Sequence, residues 1–387
     1  RIGGGFGSKQ EIILEPYVAL AAWKYKRSVK AELSRHEVFT TARTRHPMRV
    51  RIKTGVKKDG TITALEMNDI MNTGAYGAHA LTVLSNAGSK VLPMFNKIPN
   101  VSFTGRAVYT TLPVGGAYRG YGATQGYFAF NQHVDSICRK LGLDFVDYVK
   151  KWHIREGETS EVFKAIGEGT EGVSQIIKSC RLSECLDRGA EEIGWSRLRG
   201  KRITSGTWVK GVGAAVSMQG SGIPKVDMGS ASMKMNDDGS FNLYVGATDI
   251  GTGSDTILSQ IAAETLKVPV EMILILSSDT DLTPFDTGAY ASSTTYVSGQ
   301  AVLRCAGKIR DQILSAAAVL MGAPADSLSL GDGGVVVNRK SGEEAPFSKI
   351  ACFAMYSHDQ FQIQAGASYT GDESPAPFMA HFAEVDV

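Results

Sequence analysis

Four stretches of this chain are stripped of bulk just ahead of a helical pattern, and they constrain the fold more than any other feature. GGGFGSKQ (residues 3–10) precedes EIILEPYVALAAWKYK, where Ile13, Tyr17, Val18, Leu20 and Ala21 recur at helical spacing. GGAYRGYGATQ (115–125) precedes GYFAFNQHVDSICRKLG. DIGTGSD (249–255) precedes TILSQIAAETLK, with Ile257, Leu258, Ile261, Ala262 and Leu266 on one face. DTGAYASSTTYVSGQ (286–300) precedes AVLRCAGKIRDQILSAAAVL. The first turn of a helix leaves N–H groups unpaired and carries the positive end of the helix dipole, so it attracts anions. Small residues let a ligand approach the backbone. One such loop is an ordinary tight connection. Four of them predict a large, polar, phosphorylated ligand gripped from several sides.

Between the loops, Asp-Gly pairs at Asp59-Gly60 and Asp238-Gly239 sit between segments that alternate apolar and polar residues, as antiparallel strand pairs do. The expected fold class is therefore α+β: two α/β halves with mixed sheets and Gly-rich loops at helix N-termini. A charged stretch from about 150 to 201, containing SECLDRGAEEIGW, reads as mostly helical. The expected division is a first half over 1–155, a helical connection over 156–205 and a second half over 206–387. The tetrapeptide TGAY occurs at 73–76 and at 287–290, a hint of related halves that is too short to establish a repeat.

Composition excludes several classes. Lys and Arg total 41 against 39 Asp and Glu, so charge gives no reason to expect nucleic acid or a membrane surface. No apolar run reaches the roughly 18 residues of a membrane span. The five cysteines (Cys138, Cys180, Cys185, Cys305, Cys352) are odd in number and scattered, which suits a reducing cytoplasm. Cys180 and Cys185 have C-x4-C spacing but lack the further cysteines of a plant-type [2Fe–2S] centre. The seven histidines (His36, His46, His79, His133, His153, His358, His381) contain no metal-binding pair and read as structural or surface residues. A Walker loop fails because Lys9 does not directly follow the last Gly and no hydroxyl residue follows it. A Rossmann fingerprint fails because Ser8 and Gln10 stand where its third Gly belongs.

GGGFGSKQ, AYRGYGATQ, GATDIGTGSDT and PFDTGAYASSTTYVSGQAV, in this order, resemble the molybdenum-binding part of the xanthine dehydrogenase/aldehyde oxidase family. LEP at 14–16 and TRHP at 44–47 belong to the same resemblance, which runs essentially the whole length and is nearest to bacterial xanthine and nicotinate dehydrogenases. It implies a molybdopterin carrying molybdenum, in the cytosine dinucleotide form, held between two molybdopterin-binding halves. By motif match, the backbone amides of Phe6, Arg119 and Ala291 line the metal, and Gly4, Gly5 and Gly7 keep the first loop bare. Ile250, Gly251, Thr252, Ser292 and Thr294 match positions that contact the pterin or its phosphates. Thr252 stands where a Gln is common.

On the substrate side the resemblance points to Gln10, where eukaryotic xanthine oxidases carry a Glu, and to Tyr121, which matches an aromatic that stacks on the substrate ring. Ala87 falls near the place of a substrate-orienting Arg, with Lys90 as a substitute. The implied activity is hydroxylation of a nitrogen heterocycle of the purine or nicotinate type with water-derived oxygen. No catalytic residue is assigned in this chain: the family's general-base Glu lies in a G-E-P-P segment, and the GEE at 342–344 is a chance match. HFAEVDV at the end looks like a strand cut short, so upstream and downstream segments are expected to be missing, and turnover is not expected from the chain alone. Expected partners are an Fe–S subunit with [2Fe–2S] centres, an FAD subunit, a chain or segment completing the molybdenum domain, and a small aromatic heterocycle. Nucleic acid and membrane are not expected. The alternatives are a molybdopterin-binding or maturation protein without turnover, a nonenzymatic scaffold, and an aldehyde oxidoreductase.

Overall fold

A computed structural model describes residues 2–168, 171–201, 203–357 and 360–387. His358, named above, lies outside the described residues. The chain divides into two units: a larger one, Gly5–Gly220 with Pro375–Val387, and a smaller one, Arg1–Gly4 with Ser221–Ser374.

In the larger unit, α1 (Glu15–Tyr25) and α2 (Arg35–Thr41) come first. Pro16 fixes the start of α1, so the glycine loop at 3–7 passes through turns before any helix forms. The first of the four loops therefore does not sit on a helix N-terminus, unlike the other three. The apolar spacing on α1 is real, but the helix buries none of its residues, and Tyr17, Leu20 and Trp23 are exposed. Strand β1 (Met48–Val56) turns back on β2 (Ile62–Gly74) where the Asp59 carboxylate accepts the Thr61 N–H at 2.9 Å. Helix α3 (Ala80–Ser89) then crosses to β3 (Val101–Tyr109), which runs parallel to β2. Next come α4 (Ala123–Leu141), α5 (Phe145–Trp152), α6 (Val162–Ala165), α7 (Leu182–Ile193) and α8 (Trp195–Leu198). The stretch expected to be mostly helical is so only in its second half. Residues 166–168 and 171–181 form neither helix nor strand, in a segment broken by Gly167, Gly172 and Ser174. Strands β4 (Ile203–Ser205) and β5 (Trp208–Met218) form a second sheet with Phe378–Asp386, all antiparallel.

Phe95, Phe130, Phe145, Leu182 and Leu186 fill the core of this unit. Asn131 is the polar tie within it. Its amide donates to the carbonyls of Tyr127 (2.8 Å) and Val216 (2.9 Å) and accepts the Val216 N–H (2.9 Å), linking α4 to β5. Asn131→Ala leaves that strand's buried N–H and C=O unpaired. It should cost roughly 2 kcal/mol in urea unfolding, and an unchanged midpoint would show that water replaces the tie.

In the smaller unit, β6 (Met228–Met235) and β7 (Phe241–Val245) form the second Asp-Gly hairpin, with the Asp238 carboxylate accepting the Ser240 N–H at 2.9 Å. Helix α9 (Ser254–Leu266) crosses to β8 (Ile273–Ser277), parallel to β7, and a loop leads to α10 (Thr294–Leu320). Strands β9 (Leu328–Gly331), β10 (Val335–Asn338) and β11 (Glu344–Pro346) make a small sheet. Helix α11 (Phe347–Tyr356) and β12 (Gln364–Thr370) follow, and β12 pairs with β6 to give the order β12-β6-β7-β8. Phe241, Phe347, Ile309 and Ile313 lie in its core.

Each unit thus repeats one order: an Asp-Gly hairpin, a crossover helix, a parallel strand, a loop of small residues and a long helix. The two TGAY copies are not equivalent in it, since 73–76 precedes the crossover helix and 287–290 precedes the long one. The stretch equivalent to 288–290 is Gly116-Ala117-Tyr118, in the loop before α4.

Candidate functional site

The residues singled out by motif fall on loops of both units, and three of those loops share one device. The Gly5 carbonyl accepts the Ser8 N–H at 3.1 Å, the Tyr118 carbonyl accepts the Tyr121 N–H at 2.7 Å, and the Tyr290 carbonyl accepts the Ser293 N–H at 3.0 Å. In each case the carbonyl held inside the turn belongs to the same peptide as the N–H of the next residue: Phe6, Arg119 and Ala291. A trans peptide sets its C=O and N–H in opposite directions, so each turn directs that N–H outward. None of these three N–H groups has a hydrogen-bond partner among the described residues. Two of the turns also have both central residues left-handed, with Phe6 at φ 52° beside Gly7 at 88°, and Ala291 at 50° beside Ser292 at 56°. Non-glycine residues held there are strained and cluster at functional sites.

In the larger unit, neighbouring groups fix these turns. A Cβ on Gly7 would lie 3.1 Å from the carbonyl carbon of Ala117 and 3.2 Å from the Tyr118 nitrogen, so the first two loops touch backbone to backbone. Phe6 is 60% exposed and has the Arg119 guanidinium 5.8 Å from its ring. Arg45, from TRHP, donates to the Arg119 carbonyl at 2.7 Å and to the Thr124 hydroxyl in the first turn of α4, with its guanidinium 4.8 Å from the Tyr118 ring. Gln219 donates to the Gly120 carbonyl at 2.9 Å.

In the smaller unit, the Gly4 N–H donates to the Ile250 carbonyl. Gly251 and Thr252, expected to contact the pterin or its phosphates, have their N–H groups already used. The Asp249 carboxylate accepts them at 2.8 and 3.1 Å, along with those of Gly253 (3.3 Å) and Asp255 (3.4 Å). These bonds, led by the one from Gly251, hold the Asp249 carboxyl below its ordinary range. The Ser254 hydroxyl, buried at the start of α9, has no partner among the described residues. The turn at Ala291 is braced by the Gly222 N–H on the Ala291 carbonyl (2.8 Å), the Ser293 hydroxyl on the Tyr290 carbonyl (2.7 Å) and the Tyr290 hydroxyl on Asp227 (2.8 Å). Burial, with the Asp227 carboxylate, pushes the Tyr290 phenol up to about 12. Ser292 is exposed, and Thr294 opens α10.

On the substrate side, Gln10 is exposed. Tyr121 is half-buried, left-handed at φ 47°, and hydrogen-bonded through its hydroxyl to His79 and Thr82. Burial pushes its phenol up; the Thr82 bond opposes this and the charges of Glu168 and Glu11 add to it. Ala87 is fully buried and packed on the first turn of α4, so that position faces no open space. Lys90 caps the opposite end of α3 from His79, and burial holds its ammonium below the ordinary value. Glu344, of the GEE match, lies on β11 opposite Val337. Among the described residues no cluster of three His, Cys, Asp or Glu could hold a metal ion, all five cysteines are free, and no helix is long and apolar enough to cross a membrane. Arg45 and Asp249 lay inside motifs already noted, but spacing gave no sign of what their side chains bind. His79 carried no sequence signal.

Unpaired backbone N–H groups on tight turns can donate to an oxygen-rich ligand. Two models described as molybdopterin cofactor-binding domain match residues 1–152 and 188–387. The chain belongs to the molybdenum-binding part of the xanthine dehydrogenase/aldehyde oxidase family. Its relatives include "Probable hypoxanthine oxidase XdhD" of Escherichia coli, 38% identical over all of this chain and 40% of that protein. Another is "Xanthine dehydrogenase molybdenum-binding subunit", also of Escherichia coli, 34% identical over all of this chain and 51% of that protein. The chain thus spans about half the length of these curated relatives or less. Quinoline 2-oxidoreductase of Pseudomonas putida has the same fold, with a TM-score of 0.87 at 24% identity, over 100% of this chain and 51% of that one.

Proposed function

We propose that this chain is the molybdenum-binding part of a hydroxylase that oxidises a nitrogen heterocycle with oxygen from water. The observation that carries the reading is the shared turn geometry of Phe6, Arg119 and Ala291, three unpaired N–H groups at the positions the motifs single out. Bare amides of this kind suit the oxygen ligands of a metal centre, and the cofactor, when bound, supplies a metal that activates water and takes up two electrons. The chain's own residues hold and orient. Phe6, Arg119 and Ala291 donate N–H groups toward the centre, and Gly4, Gly5 and Gly7 keep side chains out of the way. Because Asp249 occupies the N–H groups of Gly251 and Thr252, a cytidine dinucleotide phosphate at that loop would be met by the Thr252 hydroxyl rather than by those amides. Ile250, Ser292 and Thr294 complete that contact. The cofactor-holding regions fall within 1–155 and 206–387, joined by 156–205.

Gln10 and Tyr121 read the substrate. An amide donates and accepts at once, so it suits a ring presenting either group, and an aromatic stacks on a planar heterocycle. Relatives named for hypoxanthine and xanthine support the purine type. Electrons leave through partner subunits with [2Fe–2S] centres and FAD, in the cytoplasm. Gln10→Ala in the native complex should lower kcat/KM for hypoxanthine roughly tenfold to a hundredfold and hardly change that for acetaldehyde. Equal losses for both would show that Gln10 supports the cofactor rather than the ring, and a complex that prefers acetaldehyde would reassign the substrate.

A further inference from the structure

Tyr121 is not a free platform. Its hydroxyl lies 2.7 Å from Nδ1 of His79 and 2.6 Å from Oγ1 of Thr82, both at the N-terminal end of α3. The His79 ring stands edge-on to the phenol, at 5.7 Å and 82°. His79 is itself left-handed at φ 54°. Its Nε2 lies 3.3 Å from Oε1 of Glu11, and the other oxygen of that carboxylate pairs with Arg43. Glu11 is the next residue after Gln10. A single chain of polar contacts, Arg43–Glu11–His79–Tyr121–Thr82, therefore ties Tyr121 to the residue next to Gln10.

The proton positions along this chain are self-consistent. With the imidazole neutral, Thr82 donates to Tyr121, Tyr121 donates to Nδ1, and Nε2 faces the Glu11 carboxylate at 3.3 Å. With the imidazole charged, both ring nitrogens donate, and Tyr121 donates to Thr82, whose hydroxyl then turns to the His79 carbonyl 3.1 Å away. Either way the Tyr121 and Thr82 hydroxyls both have acceptors, and the phenol ring is held by its oxygen at one end and its left-handed backbone at the other.

We propose that Glu11 and His79 are positioning residues that set the plane of Tyr121 and the place of Gln10, and so determine selectivity for planar heterocycles. This rests on the functional reading above, in which Tyr121 stacks and Gln10 reads the ring. Networks of this kind couple their members by amounts that deletion of one residue exposes.

The test uses the native complex with hypoxanthine and acetaldehyde as probes. His79→Ala should raise KM for hypoxanthine about tenfold with a much smaller change in kcat, lowering the hypoxanthine-to-acetaldehyde ratio of kcat/KM accordingly. His79→Asn, which tolerates the left-handed backbone and keeps a hydrogen-bonding amide, should restore most of the ratio. In a Tyr121→Phe background, His79→Ala should add nothing. A second readout needs no turnover: the 15N shift of His79 Nδ1 should move in Tyr121→Phe. An unmoved shift overturns the contact. A moved shift with an unchanged ratio in His79→Ala, or full additivity of the two substitutions, overturns the positioning role. A wild-type complex that neither binds nor oxidises hypoxanthine while the shift still moves overturns the functional reading, and the selectivity role with it.

Discussion

Gly122→Ala should destabilise the larger unit by on the order of 4 kcal/mol and take the AYRGYG turn with it. Gly122 caps the start of α4 at φ 95°. A Cβ there would lie 1.9 Å from the Val83 carbonyl oxygen, 3.0 Å from its carbon and 3.1 Å from the Ala87 nitrogen, all backbone of α3. One turn on, a Cβ at Gly126 would stand 2.5 Å from the Ala87 carbonyl oxygen. Helix α3 therefore rides on two glycines four residues apart, and backbone has to move to admit a methyl group. The same two helices carry His79, Thr82 and the loop of Arg119 and Tyr121. Gly142→Ala is the control: φ is 68°, but nothing lies within 4 Å of its Cβ, so only the left-handed cost of about 1–2 kcal/mol applies. Urea unfolding of both variants separates clash from strain. Equal losses would mean that the two helices do not pack so closely.

The second large effect is a dependence on pH. Asp69 is 1% exposed on β2, on the same face as the fully buried Met67 and Met71. Its cross-strand neighbours are Val50 and Gly105, and neither carboxylate oxygen has a partner among the described residues. Burial raises its pKa from 3.8 to about 7. An acid with a raised pKa holds its proton in the folded state after the unfolded chain has released it. The Asp69 contribution to stability should therefore be greatest below pH 4, fall as pH rises from 4 to 7, and level off above 7, with a total drop of up to about 4 kcal/mol. Asp69→Asn resembles the protonated acid in shape and has no proton to lose. It should match the parent near pH 4 and exceed it at pH 8 by most of that amount. Parallel stability curves across this range would mean that Asp69 is ionised and solvated in the folded state.

What was legible in the sequence was local. Both Asp-Gly hairpins, and the entries into α4, α9 and α10, follow from turn residues next to a periodic apolar run. The division of labour between side chains was not, because it depends on residues distant in sequence or on competition within a loop. The motif around Ile250 names the loop, but only coordinates reveal that Asp249 takes its N–H groups. Periodicity marks α1 as one-sided without saying that the helix buries none of its residues. Asp69 occupies an inward register position that strand alternation alone reserves for an apolar residue. His79 meets Tyr121 from 42 residues away and carries no motif of its own. The turns within AYRGYG and AYASS are local in the same way, because a tight turn is written in its own few residues.

The central claim is that the outward N–H groups of Phe6, Arg119 and Ala291 hold a molybdenum cofactor, and metal content tests it most directly. Elemental analysis of the complex purified from its native host, with nucleotide released by acid, should give stoichiometric molybdenum together with a cytidine nucleotide, and Ala291→Leu should lose most of the metal while the chain stays folded. A native complex free of molybdenum, or full metal retention in Ala291→Leu, would contradict it.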